Sequence, residues 1–345
     1  MGNKLTQKEI NKIIENHKHW LNEDVDGWDN MKANFSNQDL SYAYLSGANL
    51  HGADLGGADL SYANLSDVDF RGTDLSYANL SGADISGTNL SYANIRHANL
   101  SGANISCADI SCANLRGTNL RGTNLSYASL CGAKLIYANL SGANLSHANL
   151  SNADLSDADI NYANLSYANL NYANLSDVDF RGTDLRNAKL CNANLCFANL
   201  SGANLHGAEL GSADFRSANL NNADLSGTKN MMYIPMACPE EGSFIGFKKA
   251  AYADKCYIVK LEIPADALRS SATSRKCRCN KAKVLEIQNI DGSKANIDVV
   301  HSIYDPSFQY KTGQIVEEPK YDNNRFNECS KGIHFFINRQ EAVNY

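Results

Sequence analysis

Proline is missing from the first 234 of the chain's 345 residues; its five copies (Pro235, Pro239, Pro264, Pro306 and Pro319) all lie beyond that point. The chain therefore divides into a proline-free part and a tail of ordinary composition. No run approaches the ~18–20 consecutive apolar residues of a membrane span. The N-terminus has no basic-then-apolar leader. The expectation is a cytoplasmic protein that does not engage a membrane. The ten cysteines lack a secreted disulfide spacing, so reduced thiols are expected. Strong charge of either sign is also missing. Residues 31–230 carry 11 basic and 17 acidic side chains, and residues 231–345 carry 16 and 14.

What is present is a repeat. Every fifth residue from Phe35 to Leu225 is large and apolar: of these 39 positions, thirty are Leu, five are Ile and four are Phe (Phe35, Phe70, Phe180 and Phe215). Two residues before each, thirty-one of the 39 are Ala, the exceptions being Gln38, Val68, Thr73, Thr88, Thr118, Thr123, Val178 and Thr183. The register never slips. A period of five fits neither the 3.6 of a helix nor the 2 of a strand. It describes a chain that turns a corner every five residues, with one large and one small side chain pointing inward. The other positions are mostly Ser, Asn, Gly, Tyr, Asp and Arg, which suit turns and solvent.

The unit Ala48-Asn49-Leu50-His51-Gly52 and its copies resemble the pentapeptide-repeat family. The resemblance implies a right-handed quadrilateral β-helix with four units per coil, hence a mainly β solenoid of just under ten coils. At a strand spacing near 4.8 Å such a rod is roughly 45 Å long. The phenylalanines are expected in its structural core.

Residues 1–30 read as an N-terminal capping helix and linker, residues 31–230 as the solenoid and residues 231–345 as a small α+β C-terminal domain. Over residues 5–21, Thr6 with Glu9 form a capping box and Leu5 with Ile10 a hydrophobic staple. Ile10, Ile13, Ile14, His17, Trp20 and Leu21 share one helical face, predicted to cover the first coil. In the tail, strands are expected at Cys256–Ile263, Ala282–Ile290, Ile297–Ile303 and Phe308–Val316, with turns marked by Gly292 and Gly313 and a short helix over Arg339–Tyr345. The segments Arg269–Arg278 and Cys329–Phe336 resemble a C-terminal domain without established activity that is attached to some pentapeptide-repeat proteins.

Five features are candidates for function. Some family members act on DNA gyrase through acidic rods that resemble duplex DNA, which implies a stripe of carboxylates along one face. Residues 20 apart share a face here, and the acids just before the central positions fall four, three, three and four to a face, beginning with Asp39, Asp84, Asp69 and Asp54. No stripe forms, so nucleic-acid mimicry is the rival reading rather than the leading one. Nine tyrosines are predicted on the outer surface, among which Tyr42 and Tyr62 stack one coil apart. The segment at 66–75 recurs at 176–185, five and a half coils away, so its copies lie on opposite faces.

Cys277-x-Cys279, with Cys238, Cys256 and Cys329, could supply zinc ligands, but only one tight pair is present and buried free thiols are expected instead. A basic, hydroxyl-rich loop (Arg269, Ser270, Ser271, Thr273, Arg275, Lys276 and Arg278) could contact phosphate, although no Gly-rich phosphate loop accompanies it. His334 is the nearby residue suited to proton transfer. The leading expectation is a non-catalytic scaffold for a protein partner, without metal or cofactor. Alternatives are gyrase-directed mimicry and a C-terminal domain that binds a phosphate-containing ligand or acts as an enzyme. A homodimer through a rod end or the C-terminal domain is a further expectation.

Overall fold

The computed structural model describes residues 4–230, 237–271, 274–323, 325 and 330–345. The chain forms two compact units, one comprising Met1–Ala218 with Ala223–Met232 and the other Asn219–Asn222 with Tyr233–Tyr345.

The first unit is a quadrilateral β-helix. Each rung is a pair of backbone bonds: the Leu60 N–H donates to the Asn79 carbonyl (2.7 Å), and the Asn79 N–H donates to the Ala58 carbonyl (2.9 Å). Parallel bridges repeat at a separation of 20 residues along the rod, so four units make one coil. Between rungs, the Ala63 N–H donates to the Leu60 carbonyl and closes a β-turn whose third residue, Tyr62, has φ +55°. The equivalent position has positive φ at all 39 sites from Asn37 to Gly227. A turn with φ > 0 at its third residue is the type II kind. That geometry explains why the position holds mostly Gly, Asn, Asp and Tyr, with a few His, Cys, Ser and Phe, and never a β-branched residue, for which it is strained.

The central residues stack along the axis. Phe35, Phe70 and Phe180 are fully buried and Phe215 nearly so. Where Thr replaces the small Ala, its buried hydroxyl is satisfied: Thr73, Thr118, Thr123 and Thr183 each donate to the carbonyl of a central residue 23 positions earlier, at 2.8–3.0 Å.

Helix α1 (Gln7–Asn22) closes the first coil. Thr6 caps it, accepting from the Glu9 N–H while Glu9 accepts from the Thr6 N–H. Ile10 and His17 are its buried side chains. The Leu5 N–H donates to the Asp39 carbonyl, and the Gln7 amide exchanges two bonds with the Tyr44 backbone. The exposed edge of a solenoid is thereby paired rather than left as a template for aggregation.

Among its described residues, the second unit carries nine strands and one helix: β1 (Phe244–Tyr252), β2 (Lys255–Ile263), β3 (Arg269–Ser271), β4 (Cys277–Cys279), β5 (Lys281–Gln288), β6 (Val299–His301), β7 (Gln309–Lys311), β8 (Ile315–Glu317), β9 (Ile333–Phe335) and α2 (Arg339–Asn344). Six strands form an antiparallel sheet in the order β7-β6-β1-β2-β5-β8, and β3-β4-β9 form a second. Strands β7 and β8 are three residues apart in sequence yet occupy opposite edges of the six-stranded sheet. The edges of a flat sheet of that width lie about 24 Å apart, whereas the connection reaches roughly 14 Å at most. The sheet must therefore curl until its edges approach, as in a partly closed barrel.

Several expectations change here. The strand predicted over Phe308–Val316 is two strands, broken where Gly313 adopts φ +82°. The strand predicted over Ile297–Ile303 shortens to Val299–His301. The basic loop predicted over Arg269–Arg278 includes strands β3 and β4, which pair antiparallel. Strand β1 has no counterpart in the sequence reading, because Lys248 and Lys249 interrupt its apolar pattern. Its buried face is Gly246, Lys248 and Ala250. Gly246 is required there: a β-carbon would come within 2.6 Å of the Phe335 ring.

Candidate functional sites on the rod surface and in a lysine-lined cavity

The Asn and Asp side chains just before the central residues serve the rod itself. Nearly all accept from the backbone N–H two residues on, as Asp59 does from Ser61 and Asn99 from Ser101, the Asn94 oxygen being an exception. Many also bond along the rod. The amide of Asn104 donates to Asp84, that of Asn124 to Asn104, that of Asn144 to Asn124 and that of Asn164 to Asn144, at 3.0–3.3 Å. Such a ladder needs a donor at every rung but the first, so Asn fills the column and Asp starts it. Four carboxylates outside this ladder's interior (Asp69, Asp179, Asp184 and Asp214) are gripped by the arginine two residues on, through Nε and Nη2. Hydrogen bonding from Arg216 holds Asp214 down at about 2. The negative charge of the rod is thus dispersed and partly neutralised.

The outer corners carry a different pattern. Tyr127, His147 and Tyr167 stack face to face on one corner, with centroids 4.7 and 5.0 Å apart and planes within 2°. All three are exposed. Tyr77 and His97 stack on another corner, and Tyr42 on Tyr62 on a third. The tyrosine pair was legible from the spacing of 20 residues; the tyrosine–histidine columns obey the same rule but appear only when histidine is counted with the aromatics. At the N-terminal end, the buried His17 accepts at Nδ1 from the Ala33 N–H and stacks on Trp20. Burial pushes its pKa down, opposed in part by a hydrogen bond with the His51 backbone, while the nearby charge of Lys32 adds a smaller downward effect.

The residues predicted to hold phosphate do not converge on one site: Ser270 and Arg278 are cross-strand partners, but most of the set turn to internal partners. The Arg269 guanidinium donates to the carbonyls of Ala267, Gly242, Pro264 and Ala265. Arg275 pairs with Glu341. Ser270 accepts from the Tyr321 hydroxyl, and Ser271 from the Ala237 N–H. Arg278 is buried, donates to the Lys331 carbonyl and lies over the Tyr321 ring. Thr273 lies outside the described residues. These contacts tie the second sheet to its surroundings. The thiols of Cys277 and Cys279 are likewise buried, donating to the carbonyls of Arg275 and Ile333. The neighbouring thiols of Cys238 and Cys277 act on each other, the effect on Cys277 raising its thiol. Cys256 is exposed, and Cys329 is outside the described residues. Among the described residues, no three His, Cys, Asp or Glu side chains cluster as metal ligands would.

Two of the predicted residues, Lys276 and His334, do share a site. They line a cavity of about 700 Å³ in the second unit, together with Lys248, Lys249 and Lys331. Its apolar wall includes Phe308, Tyr310, Phe336 and Tyr345. Lys248 sits over the Tyr310 ring at 5.7 Å and Lys276 over the Tyr345 ring at 5.5 Å. Lys249 donates to the Val343 carbonyl. Burial, and secondarily Lys276, push Lys248 down to about 8.

Comparison with known proteins fits this division. Pentapeptide-repeat family models match the chain from residue 31 to residue 229 in overlapping segments. The chain belongs to the pentapeptide-repeat family. Residues 234–342 match the model of a second family, DUF5758, described as a family of unknown function. Among solved pentapeptide-repeat structures, HetL of the cyanobacterium Nostoc sp. strain PCC 7120, involved in heterocyst differentiation regulation, is 36% identical; the match covers 59% of this chain and 92% of HetL, with a TM-score of 0.57. QnrB1, a plasmid-mediated fluoroquinolone resistance protein, is 22% identical over 52% of this chain and 84% of its own, with a TM-score of 0.36, a likeness too slight to carry any argument. An uncharacterised protein of Acanthamoeba polyphaga mimivirus, L223, is 41% identical over 96 residues, which are 26% of this chain and 61% of L223.

Membership of the pentapeptide-repeat family accounts for the rod's interior, which is the same in every unit. It does not account for the stacked corner or for the cavity. The corner was within reach of the sequence, through the 20-residue spacing. Lys248, Lys249 and Lys331 were not, since β1 and the segment before β9 are far apart in the chain and carry no shared motif.

Proposed function

We propose that this pentapeptide-repeat rod is a non-catalytic scaffold for protein–protein interaction, and that the Tyr127–His147–Tyr167 corner is its contact surface. The observation that carries the reading is the exposed three-ring stack itself. Stacking fixes these rings in advance, so a partner meets large, rigid, amphipathic contact area at little cost in side-chain entropy. Aromatic residues of this kind are concentrated at protein interfaces. HetL's regulatory role is one that a binding rod can fill without chemistry.

The test is affinity capture with full-length protein, the rod alone and a full-length Tyr127→Ser/His147→Ser/Tyr167→Ser variant. A partner held by wild type and by the rod but released by the triple variant supports the proposal. A partner held equally by the variant overturns it. The rival reading, a rod that mimics DNA and targets gyrase, needs a continuous acidic face; amide ladders and arginine-gripped aspartates speak against one. Inhibition or protection of gyrase in a supercoiling assay at micromolar protein would reinstate it.

A further inference from the structure

The cavity of the second unit is not used by the scaffold reading, and its chemistry is unusual for a structural void. Amines from separate segments converge on it: Lys248 from β1, Lys276 from the segment before β4 and Lys331 from the segment before β9. Lys248 is buried within the sheet, yet neither it nor Lys331 forms an ion pair among the described residues. A buried ammonium without a counter-ion is costly, and a ring face compensates only part of that cost. Two acids, Asp305 and Glu318, also line the space. Asp305 is occupied with Ser307, which holds its carboxyl below the usual range, and Lys331 adds a smaller effect. Glu318 accepts from the Lys320 N–H. Positive charge therefore exceeds negative at the wall.

The donors are compact amines rather than guanidinium forks. Arginine suits planar, bidentate recognition of a carboxylate, whereas lysine serves phosphate as a point charge. Much of the rest of the wall is aromatic, and Tyr304, 77% exposed, also lines it. The volume falls within the range of small-molecule sites, roughly 300–1,000 Å³.

We infer that this cavity binds a phosphate ester with a flat aromatic body, of the nucleotide class, with Lys248 and Lys331 meeting the phosphate and Tyr304 and its aromatic neighbours meeting the ring. The amine of Lys248, held near 8, makes the site sensitive to pH: it is mostly charged at pH 7 and mostly neutral at pH 9.

The experiment is calorimetric titration of the full-length protein with adenosine monophosphate, inorganic phosphate and adenosine as separate probes. The expected result is one saturable site per chain for the monophosphate, with both fragments at least about tenfold weaker. Lys331→Gln, at an exposed position that leaves the core untouched, weakens it by about tenfold, as does Lys248→Met. Raising the pH from 7 to 9 weakens binding to wild type and leaves Lys248→Met unmoved. Absence of saturable binding by the monophosphate overturns the inference, as does binding that neither substitution affects. Inorganic phosphate binding as tightly as the monophosphate refutes the aromatic half, and adenosine doing so refutes the phosphate half. If Lys248→Met fails to fold, Lys331→Gln and the pH profile still decide.

Discussion

The two units of this chain place their polar groups by opposite means. In the rod every side chain has as its neighbour the residue at the equivalent position one coil away, often of the same type. Asn104 meets Asn124, Leu60 meets Leu80, and a bond that works once works along the column. Polar groups are consumed by their neighbours, and the interior is filled by Leu and Ala without need of a cavity. In the second unit each buried polar group is a single case. Lys248, Arg278 and Tyr310 all lie inside a β-rich unit whose strands have no repeat. Repetition makes a structure that satisfies itself and leaves only its outer corners free to vary. A single-copy fold must place each charge individually, and there an amine can be left for a ligand to meet.

The largest test of this contrast is in the rod's core. Phe180→Ala should cost about 3–5 kcal/mol, because Phe180 is fully buried in a stack that cannot collapse around the gap. Hydrogen exchange should show lost protection in the coils around it, with β1 and β2 unchanged. Equal loss in both units would mean that they do not unfold separately.

The ladder offers a sharper and smaller effect. Asn124→Asp removes the donor to Asn104 and sets a carboxylate against its oxygen, which should cost about 1–3 kcal/mol near neutral pH. The loss should ease as acid protonates the new carboxyl. Asp84→Asn, at the head of the same column, only accepts from Asn104 and should change stability by less than about 0.5 kcal/mol. Equal effects from the two substitutions in denaturant titrations would show that the ladder has no direction.

The end cap should respond to pH. His17 is kept neutral by burial, so its folded pKa lies below its unfolded one. The unfolded state then binds more protons as pH falls below about 6.5. Stability contributed by neutral His17 is complete above that pH and is lost as pH falls toward the folded value. Protection of the α1 amides, measured relative to the intrinsic exchange rate at each pH, should fall as the pH drops below about 6.5 in wild type, and His17→Gln should remove that dependence. The smallest effect belongs to the corner. Tyr127→Ser and His147→Ser should each leave stability within about 0.5 kcal/mol of wild type while releasing the partner. A large loss of stability would mean that the stack is structural rather than an interface.

Most of the rod could be read from the residues. The five-residue period gave the turns, the inward side chains and the lack of insertions, and Thr6 with Glu9 gave the start of α1. The positive φ at every corner is the physical form of what the sequence showed as a preference for Gly, Asn, Asp and Tyr. The tail was read only in part. Strand β2 and helix α2 lie close to where their apolar patterns put them, but two lysines mask β1, and the arginine and serine of β3 and β4, uncommon inside strands, give that segment the pattern of a loop.

Sequence alone determined the repeat, its register and which side chains face the axis, because in a solenoid spatial neighbours are a constant 20 residues apart and distance along the chain converts directly into distance in space. Only tertiary structure decided that Lys248, Lys276, Lys331 and His334 share one cavity while Arg269, Arg275 and Arg278 turn to internal partners. Those neighbours follow from the strand order β7-β6-β1-β2-β5-β8 and the curl it imposes. No spacing in the chain encodes that order, since each contact depends on how the whole sheet closes.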